Sequence, residues 1–132
     1  MADPDALPQS IAAWEAFERI GSPEGELAIA QCVIYLATAP KSNAAYAAFK
    51  SSARSAKETG SLLPPKRILN APTSLMKDLG YGDGYQYDHA SEDGFSGQNY
   101  FPEGMRREEF YLPVDRGFER DIGKRLEYWK KL

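Results

Sequence analysis

Residues 22–50 read SPEGELAIAQCVIYLATAPKSNAAYAAFK, and this stretch decides the predicted fold. Its residues 27–39 are apolar on nearly every side, with only two polar interruptions. A helix without a polar face is buried either by its own chain or by a partner. Pro40 ends that helix, and Ser42 or Asn43 can cap the next one. The alanines that follow favour a helix and allow close helix–helix approach, so the stretch predicts two packed helices.

Two further helices are indicated by apolar stripes at helical spacing. The first stripe is Ile11, Trp14, Phe17 and Ile20, and the second is Phe118, Ile122, Leu126 and Trp129. Gly21 can end the first helix, Ser22 can cap the second, and Asp115 can cap the last one. Thr73 can cap a brief helix that Gly80 ends. The helices are predicted near residues 8–20, 23–39, 43–58, 73–79 and 116–131.

Residues 81–113 have a different composition, rich in glycine and tyrosine. We expect an irregular segment whose aromatic side chains hold it against the helices, and the composition leaves a short hairpin open. Stacking of nucleic-acid bases needs aromatic and positively charged residues together, but residues 78–101 contain no Lys or Arg. The fold class predicted is therefore mainly α, one domain over residues 1–132 with an irregular Gly/Tyr-rich middle.

The charge of the chain is acidic overall, with a formal net value of −3. A domain dedicated to nucleic-acid binding needs clustered Lys and Arg, so this balance disfavours that class. The charge is also uneven, because residues 1–30 carry six acids against one base and residues 116–132 carry six bases against three acids. Two separately solvated helix faces are the plainer interpretation. Attraction between the two ends, within one subunit or between neighbours, is the alternative.

Residues for catalysis or metal binding are sparse. There is no phosphate-binding loop of the type GxxxxGK[ST], and the single histidine, His89, has no nucleophile–base pattern around it. The acids near His89 do not match a calcium loop, so we predict no catalytic, cofactor or metal site in this chain. A lone cysteine, Cys32, cannot form an intrachain disulfide, and no apolar run spans a membrane. We expect a cytoplasmic protein with no membrane partner.

Several short segments resemble a known family. They are RIGSPEGE at 19–26, AQCVIYLA at 30–37, APKSNAAY at 39–46, NAPT at 70–73, LGYG at 79–82, QNYFP at 98–102 and FYLP at 110–113. Together they make the chain similar to the C-terminal domain of the replication-associated recombination protein A (RarA/MgsA) family. That family comprises clamp-loader-like AAA+ ATPases and includes the Werner-helicase-interacting ATPase. The resemblance covers essentially the whole chain, and APKSNAAY is its most specific element.

The resemblance implies a collar-like helical domain that builds a homotetramer. It implies a parent ATPase, using ATP and magnesium in an upstream domain, that acts in DNA replication, recombination and repair at stalled forks. DNA and single-stranded-DNA-binding protein are the partners it implies for the parent, and it carries no catalytic residue onto these positions. The candidate interface is Leu27, Gln31, Ile34, Tyr35, Pro40, Lys41, Ser42, Asn43 and Tyr46.

A monomeric module that docks DNA or a partner protein is the alternative function. Its candidate surface is the basic end of the last helix, formed by Lys124, Arg125, Lys130 and Lys131. A free-standing enzyme is disfavoured because no convergent set of reactive residues is present.

Overall fold

A computed structural model describes all residues, 1–132, and is built of α-helices without β-strands. The α-helices are α1 (Ala6–Ile20), α2 (Glu24–Thr38), α3 (Ala44–Thr59), α4 (Ser74–Asp78) and α5 (Glu119–Trp129). Two short 3-10 helices cover Lys66–Ile68 and Asp88–Ala90. The prediction of a mainly α chain is thereby confirmed.

The helix boundaries follow from local chemistry. Helix α1 begins at Ala6, so Pro8 lies in its first turn, where a missing backbone donor costs nothing. Gly21 ends α1 with a φ of 75° and donates its N–H to the Phe17 carbonyl at 2.8 Å. Thr73 caps α4 as predicted, since its hydroxyl accepts the Met76 N–H at 3.3 Å.

Two predicted caps are wrong. Ser22 does not cap α2; its hydroxyl instead donates to the Glu26 carboxylate at 2.6 Å. Asp115 does not cap α5, because this helix begins at Glu119, three residues later than predicted. Gly117 precedes it with a φ of 50°, outside the helical region. A side chain at Gly117 would place its Cβ 2.0 Å from the Ala2 carbonyl oxygen, so only glycine fits there.

The chain divides into two compact units. One comprises Met1–Ala48 with Tyr111–Arg125, and the other comprises Phe49–Phe110 with Leu126–Leu132. The single domain over residues 1–132 stays a prediction. In the first unit the buried apolar residues are all small: Ala2, Ala13, Cys32 and Ala44.

Helices α1 and α2 pack through these small residues. Ala13 of α1 and Gly25 and Cys32 of α2 are buried, and the Cys32 sulfur lies 4.0 Å from the Ser10 hydroxyl. A Cβ on Gly25 would come within 2.9 Å of the Phe17 Cα, so the two backbones approach as closely as glycine permits. Small residues occupy much of this contact, and the large side chains of Trp14, Leu27 and Ile34 are more than half exposed.

Residues 81–113 are irregular, and the short hairpin left open by the sequence does not form. The segment is divided by turns at glycines with positive φ, which interrupt any extended run; they are Gly82, Gly84, Gly94, Gly97 and Gly104. Aromatic contacts hold parts of it in place. Phe95 stacks on Trp129 at 5.4 Å between ring centroids, and Phe101 packs against Phe110 at 5.9 Å.

Candidate functional site

The outward side of helices α1 and α2 is apolar. Leu7, Ile11 and Trp14 of α1 are 70%, 52% and 64% exposed. Leu27 and Ile34 of α2 are 72% and 66% exposed. Their spacing places Leu7, Ile11 and Trp14 on one face of α1, and Leu27 and Ile34 on one face of α2. We call these two groups, together with Gln31, Glu15 and Glu18, the α1–α2 outer face.

Acidic residues accompany this apolar surface. Glu15 and Glu18 follow Trp14 within the next turn of α1 and are exposed. Glu15 pairs with Arg19 at 3.2 Å, whereas Glu18 belongs to no ion pair of the structure. Because exposed pairs are only weakly stabilising, the α1–α2 outer face keeps an acidic margin.

Helix α3 also has a large exposed apolar side chain. Ala44 and Ser55 are buried, at 5% and 6% exposure, and lie on its inner side. Phe49 is 72% exposed and lies on another side of the helix, near Tyr46 and Ala53. We call the set of Phe49, Ala53 and Tyr46 the α3 outer face.

The predicted interface residues therefore separate into two groups. Leu27, Gln31 and Ile34 lie on the α1–α2 outer face and point away from the α1 contact. Tyr35 is half-buried, and its hydroxyl donates to the Asp3 carboxylate at 2.7 Å. That hydrogen bond, with burial, raises the pKa of Tyr35 to about 12. Tyr35 therefore makes this hydrogen bond within its own chain.

The segment Pro40–Asn43 is also committed largely to contacts within the chain. The Lys41 ammonium donates to the carbonyls of Leu36 and Ala39, at the C-terminal end of α2, where a positive charge is favourable. The Lys41 carbonyl accepts from the Arg116 guanidinium at 3.3 Å. Asn43 remains exposed. Tyr46, the last member of the predicted interface, is 60% exposed and belongs to the α3 outer face.

Ser42 contacts the buried carboxylate of Glu119, which the sequence analysis did not single out. Glu119 is fully buried, with 0% exposure. Its carboxylate accepts the Ser42 hydroxyl at 3.0 Å and the Val114 N–H at 2.8 Å, and it lies 2.9 Å from the Met1 amino nitrogen. The hydroxyl of Tyr111 is buried nearby without a hydrogen bond of regular geometry. We call these groups the Glu119 cluster.

The protonation state of Glu119 follows from these partners. Burial alone would raise the pKa of Glu119, but the donors from Val114, Met1 and Ser42, with Tyr111 nearby, lower it to about 2. Burial and the same carboxylate raise the pKa of Tyr111. The Glu119 cluster is therefore a charged anchor between the two ends of the first unit. One sequence signal was available: Glu119 precedes Ile122 and Leu126 on the apolar stripe of α5.

The predicted docking cations are partly neutralised. Lys124 pairs with Asp121 at 3.4 Å, and Lys130 pairs with Glu109 at 3.1 Å. The hydrogen bond to Glu109 raises the pKa of Lys130. Arg125 and Lys131 are exposed and belong to no ion pair of the structure. No helix of the structure has the length and apolar character needed to cross a bilayer.

Comparison with known proteins identifies the family of this chain. The sequence matches the family described as MgsA AAA+ ATPase C terminal over residues 1–130, which is nearly the full chain. The chain belongs to this family. The resemblance inferred from the APKSNAAY stretch and its neighbours is thereby confirmed.

Individual proteins are also similar to this chain. The replication-associated recombination protein A of Coxiella burnetii is 53% identical over 132 residues, covering 99% of this chain and 30% of that protein. The protein of the same name from Escherichia coli K12 is 46% identical over 128 residues, covering 96% of this chain and 29% of that protein. The ATPase WRNIP1 of Dictyostelium discoideum is 41% identical over 112 residues, covering 84% of this chain and 13% of that protein. The chain thus spans less than a third of the length of these relatives.

Proposed function

We propose that this MgsA-type C-terminal domain assembles copies of its parent protein, and that the α1–α2 outer face forms the subunit contact. The observation that carries the proposal is the inverted placement of apolar residues. Small side chains such as Ala13 and Cys32 fill the contact between α1 and α2, while Trp14, Leu27 and Ile34 are more than half exposed. A helix face of large exposed apolar side chains is usually covered by a partner.

The parent's role is proposed from the family. The relatives are named replication-associated recombination proteins, and the family is that of an AAA+ ATPase C terminus. We infer a parent ATPase that uses ATP and magnesium in a domain outside this chain and acts in DNA replication, recombination and repair at stalled forks. A homotetramer, with DNA and single-stranded-DNA-binding protein as partners, completes the proposal.

The test is the mass of the 132-residue chain in solution. We expect multi-angle light scattering to give an oligomer of finite mass for the wild-type chain. Trp14→Glu places a charge on the α1–α2 outer face without disturbing the buried contact, and it should give a folded monomer. The control is Leu75→Glu in α4, since Leu75 is 66% exposed and lies outside that face; its mass should equal that of the wild type. A wild-type chain that is monomeric at high concentration would refute the proposal.

The docking alternative has its own readout. The ion pairs of Lys124 and Lys130 leave mainly Arg125 and Lys131 for an external anion. Neutralising all four cations should leave the oligomeric mass unchanged. If the same variant lost DNA binding while the wild-type chain were monomeric, docking would replace assembly as the function of this domain.

A further inference from the structure

Helix α3 carries a positively charged side. Residues 27–57 contain four bases and no acid, and three of those bases are Lys50, Arg54 and Lys57 of α3. All three are exposed. Arg54 and Lys57 belong to no ion pair of the structure. A chain with a net charge of −3 therefore has a local basic surface.

An exposed aromatic residue borders these cations. Phe49 is 72% exposed. At 3.6 residues per turn, Lys57 and Lys50 lie about 80° and about 100° from Phe49 around the helix axis, and Arg54 lies about 40° beyond Lys50. The four residues thus occupy one side of α3 that is about 140° wide. We call Phe49, Lys50, Arg54 and Lys57 the α3 basic face.

The acids near this part of α3 lie at the edge of the α3 basic face or behind it. Glu58 is about 40° beyond Arg54, on the side away from Phe49. Glu108 accepts the hydroxyl of the buried Ser55 at 2.7 Å, and Ser55 lies opposite the middle of the α3 basic face. Even with Glu58 included, this side of the helix keeps three bases against one acid.

We propose that the α3 basic face binds single-stranded nucleic acid, with its three cations on backbone phosphates and Phe49 stacked on a base. Proteins that hold single strands combine a positively charged surface with aromatic side chains on which bases stack. That combination is missing from residues 78–101, which contain no Lys or Arg, but it is present on this face. The inference rests on the proposed role of DNA as a partner of the parent, and it assigns that partner a surface in this domain.

Two other occupants compete for the same cations. An acidic protein segment would pair with them, but its carboxylates have no π-face to lay against Phe49. A nucleic-acid duplex would also reach the cations through its phosphates. Its bases are stacked on one another within the duplex, so Phe49 would stay without a partner. The exposed ring beside the cations therefore favours a single strand, in which every base offers a free π-face.

Fluorescence anisotropy of a labelled oligothymidylate measures this binding on the 132-residue chain. Three phosphate contacts on a single strand predict a slope of about −2 when log K is plotted against log salt concentration. Arg54→Gln and Lys57→Gln should each flatten that slope by about 0.7. Phe49→Ala should weaken binding about five-fold or more and leave the slope unchanged. Lys77→Gln is the matched control, since Lys77 is an exposed lysine of α4, and it should change neither quantity.

Four results would overturn the α3 basic face as a single-strand site. One is a wild-type chain that does not bind the oligonucleotide at about 0.05 M salt, and another is an unchanged slope in both charge variants. A third is equal displacement of the oligonucleotide by poly-glutamate, which would assign the face to an acidic protein segment. The fourth is a duplex bound as tightly as the single strand, with Phe49→Ala without effect.

The outcome for assembly is measured separately. Circular dichroism establishes that each variant is folded, and light scattering gives its mass. An oligomeric wild-type chain without nucleic-acid binding would overturn this inference alone, because the parent's DNA contact would then lie outside this domain. A monomeric chain that binds with the predicted slope would refute assembly and support the α3 basic face. Binding lost only when the four cations of the docking alternative are neutralised would assign the contact to α5 and overturn this inference.

Discussion

Replacing Glu119 by glutamine removes one negative charge from the Glu119 cluster while keeping the size of the side chain. In the wild type the carboxylate oxygens accept the Val114 N–H at 2.8 Å and the Ser42 hydroxyl at 3.0 Å, and they face the Met1 amino nitrogen at 2.9 Å. The glutamine carbonyl can keep one of these donors. Its NH₂ group would face the others, so at least one donor loses its acceptor.

The size of the effect follows from this loss. Hydrogen bonds to a charged group contribute about 1.5–3 kcal/mol each, and an unsatisfied buried donor adds a similar penalty. We therefore expect the free energy of unfolding to fall by roughly 3 kcal/mol. For a chain of 132 residues, the unfolding entropy of about 2.1 cal/mol/K per residue converts this to a Tm lowered by roughly 11 °C.

The assay is thermal unfolding followed by circular dichroism at pH 7 and at one fixed protein concentration, since assembly makes Tm concentration-dependent. Glu127→Gln is the matched control, because Glu127 lies on the same helix with a side chain 69% exposed. Surface substitutions change stability by about 0.5 kcal/mol or less, or roughly 2 °C here. If Glu119→Gln shifted Tm no more than this control, the Glu119 cluster would not be the anchor described above.

Two further predictions follow from the same structure. Because the pKa of Glu119 is lowered to about 2 from its ordinary value of 4.5, its stabilisation is present above pH 4.5 and is lost as pH falls toward 2. Urea unfolding across that window should show a steeper loss for the wild type than for Glu119→Gln; parallel curves would contradict it. Gly25→Ala should lower the free energy of unfolding by about 1–3 kcal/mol, because its Cβ would lie 2.9 Å from the Phe17 Cα. Urea denaturation measures this, with exposed Ala30→Gly in the same helix as the control for helix propensity, and an unchanged Gly25→Ala chain would argue against the close α1–α2 contact.

The sequence alone determined the family and most of the helices. The apolar run from Leu27, the alanines after Asn43 and the proline and glycine boundaries are local signals, and each acts within one or two helical turns. The APKSNAAY stretch and its neighbours led to the family that the comparisons confirm. The sequence also marked Leu27 and Ile34 as candidates for a contact surface, since a helix without a polar face must be covered by something.

Tertiary structure decided what these signals could not. The stripe containing Ile11 and Trp14 has the same periodicity whether it faces its own core or solvent, and only the α1–α2 packing through Ala13, Gly25 and Cys32 places it outside. Ser42 and Glu119 are 77 positions apart, so no local pattern links them. Their meeting depends on the chain bringing its N-terminal residues against the start of α5, where Gly117 leaves room for the Ala2 carbonyl. The burial of Glu119 and its contact with Ser42 are properties of the folded chain. For that reason only the structure shows the Glu119 cluster.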